Sequence, residues 1–143
     1  MPRRQSRRRP RDLPVDDRQT VVVCRGGDCS NRTKHPGFDH LAQLRRLRDG
    51  VDAEQGRVVT STCLDACEHS NVVVVVPGAT GRERGGAPVW VGDVLDEATT
   101  IEIVGWVDAG GPGVADEPVL VALRTFRASR LNRHELDEEL GSS

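Results

Sequence analysis

The chain has 143 residues, with 20 Lys and Arg against 22 Asp and Glu and a hydrophobic share of 36%, which fits one soluble globular domain of ordinary size. Its longest apolar runs, Val72 to Val76 and Val119 to Leu123, fall far short of the roughly 18 residues a membrane span needs, so a transmembrane helix is excluded. The formal charge of -2 divides unevenly, because residues 1–18 carry +4 and residues 19–143 carry -6.

The first 11 residues contain six Arg and no acid, with Pro2, Pro10 and Pro14 nearby. Such a stretch cannot bury enough apolar surface to offset its ordering entropy, so 1–18 is expected to be a disordered leader. Ser6-Arg-Arg-Arg9 has the look of a twin-arginine export signal, but no apolar segment follows it; a cytoplasmic protein is expected. Arg outnumbers Lys 19 to 1 over the whole chain, which reads as a general Arg preference and not as a nucleic-acid-binding leader.

Gln19-Thr-Val-Val-Val23 predicts a first strand that runs into Cys24-Arg-Gly-Gly-Asp-Cys29, where paired glycines permit tight turns. From Pro36, the recurrence of Phe38, Leu41, Leu44, Leu47 and Val51 predicts an amphipathic helix ending near Gly50. Arg57 to Thr62 predicts a second strand leading into Cys63-Leu-Asp-Ala-Cys67, and Asn71 to Val76 a third, whose lack of alternation implies burial on both faces. The Pro77 to Pro88 stretch predicts a loop closing a hairpin onto Pro88-Val-Trp-Val-Gly92. Asp93 is placed as N-cap of a second helix with Val94, Ala98, Ile101 and Val104 on its apolar face.

The order β-α-β-β-β-α predicts an α/β sandwich with a mixed β-sheet and helices on both faces. The only aromatics are Phe38, Trp90, Trp106 and Phe126, and both Trp are placed in the core. Residues 110–143 are expected to form an extension that docks partly and frays, with one helical turn at Leu136 to Leu140.

All four cysteines fall in two pairs, Cys24-x4-Cys29 and Cys63-x3-Cys67, each directly after a predicted strand. Two loops leaving one sheet end could bring two thiolates each to a common point, as a shared metal centre requires. Unrelated buried Cys would not pair this way, and structural disulfides suit a shorter secreted chain. Three readings stay open. A four-cysteine zinc site would stabilise an interaction module, although the usual two-residue knuckle spacing is missing. A 2Fe-2S centre asks for two thiolates per iron, which the two-and-two division and wider Gly-bearing loops suit. A redox dithiol at Cys63 and Cys67 would leave Cys24 and Cys29 unexplained. His35, His40, His69 and His134 show no ligand spacing, and Gly81-Arg-Glu-Arg-Gly-Gly86 lacks the strand-to-helix setting of a phosphate loop.

The sequence Val-Val-Cys24-Arg-Gly-Gly-Asp-Cys29 after strand one, with Ser61-Thr-Cys63-Leu-Asp-Ala-Cys67-Glu before the Val-rich strand, resembles the thioredoxin-like 2Fe-2S ferredoxins. These are similar to the small iron-sulfur subunit of respiratory complex I and of related NAD-linked hydrogenases and formate dehydrogenases. The resemblance covers roughly residues 19–109. It implies a thioredoxin-like fold, one 2Fe-2S cluster ligated by Cys24, Cys29, Cys63 and Cys67, and a one-electron carrier that is no enzyme by itself and that often dimerises. The chain departs from the family where His69-Ser70-Asn71 stands in place of a common Gly-Pro.

On that reading Gly26 and Gly27 let the backbone approach the sulfurs, whose negative charge N–H groups would offset. Arg25 either raises the potential or is a solvated loop charge. Asp28, Asp65 and Glu68 form an acidic rim, and the acidic body is expected to be steered toward a redox enzyme or reductase with a basic docking patch.

Overall fold

The computed structural model describes residues 17–26, 29, 31 and 33–141; the expected leader falls almost wholly outside them, as do Gly27 and Asp28. The elements are β1 (Gln19–Cys24), α1 (His40–Gly50), β2 (Gly56–Ser61), β3 (Val73–Val76), α2 (Ala79–Glu83), β4 (Val89–Val91), α3 (Glu97–Asp108), α4 (Val119–Arg124) and α5 (Arg130–Gly141). The strands form one sheet in the order β2-β1-β3-β4. β1 pairs parallel with β2, from Gln19 opposite Gly56 to Cys24 opposite Ser61. β3 runs antiparallel to both β1 and β4, with Val73 opposite Val23 and Val91. This is the expected mixed sheet of an α/β sandwich, and its topology is consistent with a thioredoxin-like fold.

The valines explain the layers. Every residue of β1 and β3 is buried, and successive side chains leave on opposite faces. Val21, Val23, Val73, Val75 and Val91 pack with Leu47 of α1 and Ile103, Trp106 and Val107 of α3. Val22, Val72, Val74, Val76 and Trp90 face the other way, with Cys24, Cys29, Leu64 and Leu136 of α5. Helices therefore cover both faces. Trp90 and Trp106 are both core residues, 4% and 3% exposed.

Several local expectations need correction. In α1, Leu41 is 71% exposed whereas His40 and Gln43 are buried, because Gln43 bridges inward: its amide donates to Val94 O at 2.9 Å and to Thr100 Oγ1 at 3.3 Å. The cap of α3 is Asp96, not Asp93: Asp96 Oδ1 accepts from Thr99 N at 2.9 Å, while Asp93 lies in the preceding turn with φ 52°. The buried face of α3 is consequently Thr99, Thr100, Ile103, Trp106 and Val107, and Ile101 is exposed. The connection from β3 to β4 carries the short helix α2, and the expected single turn at Leu136 is part of a helix of 12 residues. That helix is started by reciprocal bonds between Ser129 and Asn132, at 2.9 and 3.0 Å, the arrangement of a capping box. No helix among the described residues is long and apolar enough to cross a membrane.

Candidate metal centre

Parallel pairing of β1 with β2 puts Cys24 and Ser61 side by side at the same sheet end. Cys63 follows two residues later, so both cysteine-bearing loops leave one edge of the core. They are in backbone contact. A Cβ on Gly26 would stand 2.1 Å from the Cys63 amide nitrogen, so only glycine lets the loops meet so closely. Cys24 Sγ lies 3.6 Å from Thr62 O, across the loop boundary.

The four sulfurs form an inner and an outer pair. Cys24 and Cys29 are buried, 2% and 1% exposed, whereas Cys63 and Cys67 are half-buried. Cys63 Sγ and Cys67 Sγ are 3.5 Å apart, well beyond the ~2.05 Å of a disulfide. That spacing is close to the ~3.7 Å edge of a thiolate tetrahedron with metal–sulfur bonds of ~2.3 Å. Backbone donors already point at sulfur: Val72 N is 3.4 Å from Cys29 Sγ and Asp65 N is 3.3 Å from Cys63 Sγ. Asp65 reaches this position through a left-handed backbone, φ 62°. The two pairs also feel each other electrostatically, Cys24 acting on Cys63 and Cys67 on Cys29.

Ionisation of the inner pair is shared. The hydrogen bond from Cys29 holds Cys24 down at about 6 against the opposing effect of burial. The same bond, with burial and the Cys24 charge, pushes Cys29 far above the ordinary thiol range. The first thiolate of the pair, at Cys24, therefore forms more readily than an ordinary thiol does. Burial pushes the Cys63 thiol up. Four thiol donors in two pairs, one of them spaced for a common tetrahedron, fit a sulfur-ligated metal centre; a metal would draw the remaining protons off. Among the described residues no three Cys, His, Asp or Glu side chains already enclose a single ion.

Polar side chains fix both loops from outside. The Arg25 guanidinium donates to the carbonyls of Cys24 (3.0 Å), Cys29 (3.4 Å) and His40 (3.1 Å), and to Gln43 Oε1 (2.7 Å). It is thus a brace tying the first loop to α1 and not a solvated loop charge. Burial lowers its pKa and the Cys29 and Cys24 thiolates oppose that. Lys34 Nζ donates to Cys67 O at 3.0 Å and His35 Nε2 pairs with Ser70 Oγ at 2.9 Å, so the segment after Cys29 holds the second loop. The His69 ring stacks on Phe126, centroids 3.9 Å apart. From α5, Asn132 and Glu139 bind the backbone around Cys63. Asp65 and Glu68 are exposed beside the outer pair. Of these braces only Arg25 stands out in the sequence by its place between ligands; Lys34, the sole lysine among 19 arginines, offers a weaker signal.

The fold and the site together define an α/β protein with two cysteine pairs on touching loops at one end of a mixed sheet. No family model and no curated protein matches the chain. Among solved structures, it is similar to the wild-type thioredoxin-like [2Fe-2S] ferredoxin from Aquifex aeolicus, at 21% identity over 78% of this chain and 99% of that chain, with a TM-score of 0.49.

Proposed function

We propose that the protein is a thioredoxin-like 2Fe-2S ferredoxin, a one-electron carrier to or from a redox enzyme and no enzyme by itself, with Cys24, Cys29, Cys63 and Cys67 as cluster ligands. The observation that carries this reading is the meeting of the two cysteine loops, Gly26 against Cys63, with the outer sulfurs 3.5 Å apart. When bound, a 2Fe-2S cluster would supply a single reversible electron. The chain's part is to hold and tune it. The Val72 and Asp65 amides offset negative charge on sulfur, which favours the reduced state. The buried inner pair excludes water, and the half-exposed outer pair provides the short path to a partner. Asp65 and Glu68 supply an acidic rim there, suited to a basic docking patch.

The spacing of Cys63 and Cys67 also suits a redox dithiol, and four thiolates suit zinc. Anaerobic purification separates the three readings. Iron with acid-labile sulfide and visible thiolate-to-iron absorption is expected. A colourless protein with one zinc, or a metal-free protein with a reversible Cys63–Cys67 disulfide, would overturn the proposal in favour of one alternative.

A further inference from the structure

We propose that α5 is a clamp that sets the pose of the outer cysteine loop, with Asn132 and Glu139 as positioning residues for the centre; this rests on the cluster reading above. Asn132 Nδ2 donates to two successive carbonyls, Leu64 O at 3.1 Å and Asp65 O at 2.8 Å. Glu139 Oε1 accepts from the Thr62 amide and, at 2.7 Å, from the Thr62 hydroxyl. The two grips fall on either side of Cys63.

Asn132, Leu136 and Glu139 are spaced i, i+4, i+7, so one helix face carries all three. Leu136, 3% exposed, packs in the same cluster as the fully buried Leu64. The loop is thereby held by an apolar anchor between two polar ones. The Asn132 grip has a specific consequence. In a planar trans peptide the C=O and N–H point opposite ways. Drawing Leu64 O toward α5 therefore turns the Asp65 N–H away from the helix, where it meets Cys63 Sγ at 3.3 Å. Asn132 thus aims a donor at a sulfur it does not touch. Glu139 adds a second influence, because its carboxylate places a negative charge beside the loop.

The two residues separate in an experiment. Asn132→Asp keeps the acceptor that caps α5 at Ser129 N and removes the donors to the loop. Glu139→Gln keeps an acceptor for Thr62 and removes the charge, whereas Glu139→Ala removes both. In the reconstituted protein, Asn132→Asp and Glu139→Ala are expected to lose the visible chromophore to a chelator about 10–100-fold faster than wild type. Glu139→Gln is expected to retain the wild-type lifetime with a potential shifted positive. In the metal-free full chain, amide hydrogen exchange over residues 62–66 is expected to quicken in Asn132→Asp and Glu139→Ala while residues 130–141 stay protected. Unchanged chromophore lifetimes in both variants, with a coloured wild type, would overturn the clamp and leave the cluster reading intact. A wild type that forms no chromophore would overturn the cluster reading, and the exchange over 62–66 then decides the clamp alone: quickened upholds it, unchanged overturns it.

Discussion

Gly26 and Cys63 touch through their backbones: a Cβ on Gly26 would stand 2.1 Å from the Cys63 nitrogen and 2.8 Å from its Cα. The atoms in the way are main chain, which no rotamer change can move. Gly26→Ala is therefore expected to push the loops apart and cost on the order of 1–3 kcal/mol, as overpacked sites do. Its chromophore after reconstitution should be weak or lost, measured as absorbance per chain beside a denaturant melt. A variant with wild-type colour and stability would show that the two loops do not need this contact.

Arg25 braces the first loop with a planar fork that a lysine cannot reproduce. Arg25→Lys is expected to destabilise the protein by about 2 kcal/mol, within the range for hydrogen bonds to charged groups, and to speed cluster loss. Gln43→Leu, which removes the Arg25 acceptor and the bridge to Val94 and Thr100, should act in the same direction. Equilibrium urea unfolding of both variants checks this.

The inner thiols predict a pH signature for the metal-free protein. Ultraviolet thiolate absorbance should show one step centred near 6, from Cys24, and no second step from Cys29 in the ordinary thiol range. Stability follows with defined signs. Cys24 is depressed in the fold, so its contribution is present above the unfolded thiol value of ~8.5 and is lost as pH falls through about 6. Cys29 and Cys63 are raised, so theirs is present below the unfolded value and is lost as pH rises beyond it. Melting temperatures should thus climb from pH 6 and decline above roughly 8.5. Cys24→Ser should abolish both the early step and the acid-side climb.

Much of this arrangement is legible in the residues, and what is not has physical reasons. The all-Val strands declare themselves because β1 and β3 are buried on both faces, and the parallel β1–β2 pair follows from the helix between them. The pairing of cysteines with strand ends is local, so it too can be read. The buried face of α1 cannot: Gln43 turns inward because its partners, Arg25, Val94 and Thr100, lie 18, 51 and 57 residues away. The residues point to Asp93 as the cap of α3, but Asp93 lies in a turn with φ 52° and the helix starts three residues later, at Asp96. Asn132 and Glu139 look like ordinary helix-surface residues, since what they hold is 67 to 77 residues distant.

Asp96 gives a test of the scaffold apart from the centre. It caps α3 and pairs with Arg124 Nη2 at 3.2 Å. Asp96→Ala should cost about 1 kcal/mol, the usual loss of an N-cap, while Asp96→Asn keeps most of the cap. The bond to Thr99 holds the Asp96 carboxyl below its ordinary value. Its contribution is present above the unfolded aspartate range and is lost as pH falls through the lower folded value. The difference between wild type and Asp96→Asn should therefore shrink in acid, as thermal melts at successive pH values would record. The colour of the reconstituted protein should be untouched by either change.

On the proposed reading, four cysteines from two touching loops bind one 2Fe-2S cluster. Iron, zinc and acid-labile sulfide should be counted per chain after anaerobic purification, together with the visible spectrum of wild type and of the Cys24→Ser, Cys29→Ser, Cys63→Ser and Cys67→Ser variants. Two irons and two sulfides per chain are expected, with every one of the four variants altering the spectrum. One zinc with no sulfide, or a spectrum indifferent to Cys24 and Cys29, would contradict it.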